Sequence, residues 1–128
     1  MGMAASQRGG LDRCNLRHLA LTEVCAHGGD GCIRFARIAA AGDLDGGCNF
    51  IDYAELPPGA SIGRHRHACD EEELYLVLAG NGRMVRDGES FAVAEGDLVR
   101  NPPGGEHELC NTGDAPLRLF VVELRVAP

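Results

Sequence analysis

GASIGRHRHACDEEELYLVLAG, residues 59–80, carries two of the chain's five histidines, His65 and His67, one residue apart. On an extended strand side chains alternate with a period of two, so both imidazoles project from one face and can reach a single metal ion. Three consecutive glutamates, Glu71, Glu72 and Glu73, offer a carboxylate as a third donor, and His107 stands further along the chain. The apolar run after them, closed by Gly80, has the composition of a strand buried on both faces. Imidazole with carboxylate suits divalent first-row metals, manganese or iron ahead of zinc when positions stay open for other ligands. An H-x-H pair alone is common on exposed strands, so the rest of the chain has to decide.

Outward from that stretch, 128 residues make one domain with room for a core of its own. The balance of 45% hydrophobic and 24% charged residues is that of a folded globular protein. Eighteen glycines and six prolines favour short strands joined by turns. A formal charge of −7 lacks the clustered positive field that nucleic acid or an anionic membrane requires, and both partners are excluded. All twelve cationic residues are arginine, which rules out lysine Schiff-base chemistry. The six cysteines form no C-x-x-C pair. With no apolar span and no secretory leader, they are expected to be reduced thiols in a cytoplasmic protein. Met1-Gly2 to Ser6 fits a myristoylation pattern, but no basic cluster follows to anchor it, and the pattern is set aside.

In chain order, residues 1–15 are expected to form a flexible arm and 16–128 the domain. Residues 15–24 suit an edge strand or a turn, and 27–31 a turn. Strands are expected over 32–39, 48–56, 61–67, 73–79, 83–86, 89–94, 98–100, 106–111 and 116–126. Pro57-Pro58-Gly59, Gly80-Asn81-Gly82 and 101–105 separate them, and Asp87-Gly88 is a two-residue hairpin signal. Short strands at this spacing indicate an all-β antiparallel sandwich or barrel. His18 and His27, in the N-terminal segment, read as surface residues.

Here the chain resembles the cupin superfamily. The first cupin motif is matched by Gly59, His65, His67, a glutamate and Gly80. The second is matched by Gly96, Pro102, Gly104, His107 and Asn111, with each interval as the motif requires. Between His67 and Glu73 there is one residue more than the motif usually has. Glu72 keeps the usual loop length, whereas Glu73 keeps the six-residue strand to Gly80. A slip of one residue would turn the whole strand over. Glu73 is therefore assigned ahead of Glu72, with the extra residue absorbed near Cys69-Asp70.

The resemblance implies a double-stranded β-helix, a jelly-roll barrel holding a metal near one mouth. The implied ligands are His65, His67, Glu73 and His107. The ion is manganese or iron first, with zinc, nickel or cobalt as alternatives. Cupins with this ligand set act on sugars, sugar phosphates or small carboxylates as isomerases, decarboxylases or dioxygenases. The alternative is a non-catalytic module that binds a small ligand in the barrel. Tyr75, on the same strand face as Glu73, is the one candidate for a catalytic hydroxyl. Arg64 and Arg66 alternate with the histidines and should face away. Cys69, in the loop beside the ligands, is either a redox-sensitive thiol or an unremarkable one. A homodimer is expected, residues up to Val24 adding an edge strand to a partner's sheet.

Overall fold

The computed structural model describes residues 11–127, so most of the expected N-terminal arm lies outside the described residues. Ten strands form two antiparallel sheets. They are β1 (Thr22–Val24), β2 (Ile33–Ala40), β3 (Cys48–Leu56), β4 (Ser61–Arg66), β5 (Glu71–Ala79), β6 (Asn81–Arg86), β7 (Glu89–Ala94), β8 (Leu98–Asn101), β9 (Glu106–Asn111) and β10 (Leu117–Arg125). One sheet has the order β1-β2-β3-β10-β5-β8, the other β4-β9-β6-β7. This is the jelly-roll barrel expected of the chain. No helix among the described residues is long and apolar enough to cross a membrane.

Strand parity makes the barrel two-ended. Along β10 the buried positions run Leu117, Leu119, Val121, Glu123, and along β5 they run Glu73, Tyr75, Val77. The two strands are antiparallel, with Glu123 opposite Glu73. On the other side of β10, Asp52 of β3 faces Val121, while Ala54 faces Leu119 and Leu56 faces Leu117. All three strands thus put leucine or valine at one end and a carboxylate at the other. The apolar end also holds Met84 and Leu109, both 1% exposed. Burying side chains of this size stabilises the fold by about 1.5–3 kcal/mol each.

Several local features follow from residue chemistry. Asp87 (φ 49°) and Gly88 (φ 83°) both adopt left-handed backbone, the geometry that lets the β6–β7 hairpin match strand twist. Asn111, buried at 2% exposure, donates to the carbonyls of Leu56 and Ala115 and accepts from Gly113 N, pinning the turn before β10. That gives the asparagine of the second motif a structural task.

Some expectations need correction. The expected turn over 80–82 reduces to a corner at Gly80: its φ is 92°, and β6 starts at once with Asn81, Gly82 being a strand residue packed closely against Cys110 O and Leu117. β5 begins at Glu71 rather than Glu73, because Glu71 Oε1 accepts from Ala68 N and closes the preceding turn. β4 stops at Arg66, although His67 N still donates to Gly105 O at 2.9 Å. Leu74, Leu76 and Leu78 face outward and are half-buried, so β5 is fully buried on its inner face alone. Residues 15–24 combine both expected forms, a 3-10 turn at Leu16–His18 and the edge strand β1, which pairs with β2 of its own chain. Leu16, Leu19 and Leu21 lie over the outward-facing Tyr53, which explains why that residue is buried.

The glycines give a direct test of this packing. A Cβ at Gly80 would sit 2.6 Å from Pro116 O, on backbone that disfavours any side chain, whereas Gly88 has open space around it. Gly80→Ala should cost well over about 1 kcal/mol in urea unfolding, and Gly88→Asn much less, since asparagine tolerates this backbone. Equal losses for the two variants would contradict this account of the corner.

Candidate metal centre

His65, His67, Glu73 and His107 come together at the polar end, each offering a donor atom within 4.8 Å of the others. Two backbone devices bring them there. β4 and β9 place His65 directly opposite His107, with a register shift between Ile62 and His65. The turn at 102–105 is stapled to the strand it faces: Gly104 N donates to Ala68 O, and Arg66 donates to Gly104 O. This is how the proline and glycines of the second motif return the chain so that His107 enters the barrel.

The two fully placed ring orientations follow from hydrogen bonds at Nδ1. His65 Nδ1 lies 2.8 Å from Gly63 O, so it carries the proton and leaves Nε2 as a donor to the cluster. His67 Nδ1 lies 2.9 Å from Glu123 Oε1, which turns its Nε2 inward in the same way. His107, 1% exposed, has Nε2 3.1 Å from Glu73 Oε1. Glu73 itself is 4% exposed, and its Oε1 is a buried atom without a well-directed hydrogen bond. Three inward nitrogens and one orphaned carboxylate oxygen converge on shared space. The donor set fits a divalent first-row ion.

Electrostatics supports the same reading. Burial holds His65 down to about 4, so its ring is neutral and ready to coordinate. Burial alone would raise the Glu73 carboxyl, but the imidazoles of His107 and His67, 3.1 and 3.4 Å from its Oε1, outweigh it and bring it to about 2. The nearby Glu73 carboxylate lifts His67 to about 9. A proton on His67 thus answers the Glu73 charge when no metal does.

The neighbouring glutamates divide as strand parity requires. Glu72 faces outward and pairs with Arg100. Glu71 lies 3.4 Å from His67 Nδ1, at the rim. Tyr75, 3% exposed, points its hydroxyl at His107 Nε2, 3.4 Å away. Burial, then Glu73, pushes its pKa far up, so it stays protonated. Arg64 is exposed and bonded to Glu108. Arg66 is exposed too, although its stem reaches the rim of the cavity. Cys69 is an exposed free thiol beside Gly104.

A cavity of about 520 Å3 opens over the cluster, and it contains residues that sequence reasoning passed over. Glu123, at 4% exposure, also accepts from Asn49. Asp52 receives both arms of Arg37 at 2.9 and 3.1 Å, and that guanidinium lies 4.3 Å from the Phe50 ring. Burial raises Asp52 more than Arg37 lowers it. His27 is exposed, as expected, and it also stacks on His65, centroids 3.7 Å apart and planes 9° from parallel. His18 is exposed, as expected. Acids at inward parity in β3 and β10 were a readable signal for Asp52 and Glu123. Nothing in the spacing of His27 announces its place.

Residues 52–123 match the family model of the cupin domain, more than half of the chain. The chain belongs to the cupin family. It is 30% identical over 95 residues to the oxalate-binding protein of Thermotoga maritima, covering 74% of this chain and 78% of that one. Its fold is similar to the crystal structure of a predicted oxalate decarboxylase from the same organism, with TM-score 0.85 and 24% identity, covering 90% of this chain and all of that one. A cupin sugar phosphate isomerase from Silicibacter pomeroyi gives TM-score 0.72 and 23% identity, over 90% and 76% of the two chains. At these identities the two structures speak for the fold.

Two measurements test the cluster. Glu123→Ala frees His67 to rotate and should weaken Mn2+ binding by about 10–100-fold in calorimetry, while Arg66→Ala leaves it unchanged. Melting of the chelator-treated protein as a function of pH tests the charges. His65, low in the folded state, makes stability fall as pH drops from 6.5 towards 4. His67, high in the folded state, contributes stability below 6.5 that is lost as pH rises towards 9. The metal-free protein should therefore melt highest near pH 6.5, and saturating Mn2+ should abolish the alkaline decline. A melting temperature that climbs from pH 6.5 to 9 without metal would contradict the charge pattern.

Proposed function

We propose that the chain is a metal-dependent cupin whose barrel takes a small carboxylate, of the oxalate kind, at His65, His67, Glu73 and His107. The observation that carries this reading is the convergence of three imidazoles and one buried carboxylate, of which His65, His67 and Glu73 line a cavity. When bound there, a divalent manganese or iron ion supplies Lewis acidity toward oxygen donors. The protein's own part is to orient and to shield. Glu123 and Gly63 fix the rings of His67 and His65. The Tyr75 hydroxyl, kept protonated, is a hydrogen-bond donor at the buried side of the cluster. Phe35, Phe50 and Ile62 contribute apolar wall.

Charge chooses among the ligand classes. Glu71, Glu73, Asp52 and Glu123 line the cavity with Arg37 and Arg66. Arg37 already spends its fork on Asp52, and Arg66 is held by Gly104 and Glu106. A sugar phosphate would set its phosphate against these acids with no unpaired cation besides the metal, whereas oxalate, itself a dianion, can place its charge directly on the metal and needs only one or two donors more. Support from a relative is consistent with this choice, since the similar protein of Thermotoga maritima bears the name oxalate-binding.

One observation favours the non-catalytic module within the same reading. The two side chains nearest the cluster that could move a proton are committed: Tyr75 is sealed and protonated, and Glu123 is held by His67 and Asn49. The Mn2+- and Fe2+-loaded protein should be stabilised by oxalate, by about 2.7 kcal/mol at a hundred times the dissociation constant. Turnover of oxalate that disappears with a chelator supports a decarboxylase or dioxygenase. Stabilisation without turnover supports a binding module. Stabilisation by sugar phosphates and not by oxalate would refute the carboxylate reading. The expected homodimer and cytoplasmic location stand as proposals as well, the first open to a measurement of mass in solution.

A further inference from the structure

His27 is placed with a care that an idle surface residue would not need. It occupies a left-handed backbone position, φ 52°, that non-glycine residues rarely take. Two glycines make the placement possible. A Cβ on Gly29 would lie 2.3 Å from Ser61 O, and a Cβ on Gly63 would lie 2.2 Å from His27 O. The turn and β4 are further tied by Ser61 N to Asp30 O and by Asp30 N to Ser61 Oγ, at 2.9 and 2.7 Å. The bulge in β4 falls on the same spot, between Ile62 and His65. Backbone, strain and bulge all serve to press this turn against the strand that carries His65.

The result is a ring laid flat on His65 and lining the mouth of the cavity. Stacking uses the face of an imidazole, while its N–H donor and its acceptor nitrogen lie in the ring plane. No hydrogen bond occupies either ring nitrogen of His27 among the described residues. The edge of the ring, which lines the cavity, therefore offers a donor beside the cluster. Arg37 and Phe50 stand elsewhere in the same cavity and are already engaged with Asp52 and with each other.

We propose that His27 is a specificity-determining residue that hydrogen-bonds the small carboxylate held at the cluster, and that the Gly29–Gly63 contact exists to hold it there. The inference rests on the carboxylate reading above. The test is calorimetry of Mn2+ and then oxalate on the full chain, comparing wild type with His27→Gly. Glycine suits the left-handed backbone, so the variant should fold with an unchanged or higher melting temperature. Mn2+ affinity should stay within about threefold, because no His27 nitrogen belongs to the cluster. Oxalate affinity on the Mn2+-loaded variant should fall about tenfold or more, the size expected for losing a hydrogen bond to a charged group. Oxalate affinity that is unchanged or tighter overturns the inference and leaves the carboxylate reading in place. A parallel loss of Mn2+ affinity also overturns it, because His27 would then act through His65. Absence of oxalate binding by the wild type overturns both.

Discussion

A carboxylate 4% exposed at the mouth of an apolar barrel has to be answered by positive charge, and the site is arranged around that need. An uncompensated buried charge costs several kcal/mol, a large share of a domain's net stability. Glu73 meets the need with His107 and His67, which hold its carboxyl near 2. In exchange Glu73 holds His67 protonated up to about 9. The proton is thus one answer to that charge, and a divalent ion, which the donor set fits, would be another. His65 does not take part in this exchange. Burial keeps it neutral, so the cluster carries a permanent donor beside the protonated one.

The register of β5 is what delivers Glu73 to this position. Its neighbours across the sheet are Glu123 on one side and Asn101 on the other, both buried. Three acids therefore collect at one end, on β3, β10 and β5. The sheet tolerates them because each is held: Asp52 by Arg37, Glu123 by Asn49 and His67, Glu73 by His107 and His67. The opposite end of the same strands holds Leu56, Leu117 and Leu119, which are fully buried. Stability is concentrated at one end of the barrel and chemistry at the other, on continuous strands. A slip of one residue would exchange inside and outside at both ends together.

That coupling explains what was legible in the sequence. Period-two alternation and turn chemistry located the strands, with β3, β7 and β9 at their observed bounds. The same alternation separated Glu73, which faces in, from Glu72, which faces out to Arg100. Ends of strands were less legible where a side chain rather than the backbone closes a turn, as at Glu71. The outward leucines of β5 misled because an apolar run does not state how much of each face is covered. His27 was illegible for a different reason. Its neighbours are nearly forty residues away, and of the glycines that admit it Gly29 read as a turn residue and Gly63 as an ordinary strand position.

The same contact has a consequence for how the cavity is built. The register of β4 shifts between Ile62 and His65, where Gly63 O lies 2.8 Å from His65 Nδ1, and the backbone of 27–29 packs against this same part of the strand. A side chain at Gly63 would collide with the carbonyl of His27. The residue that fixes the tautomer of a donor histidine is therefore the residue that admits the ring stacked upon it. One strand irregularity serves both the floor of the site and its rim, and neither could be altered without the other.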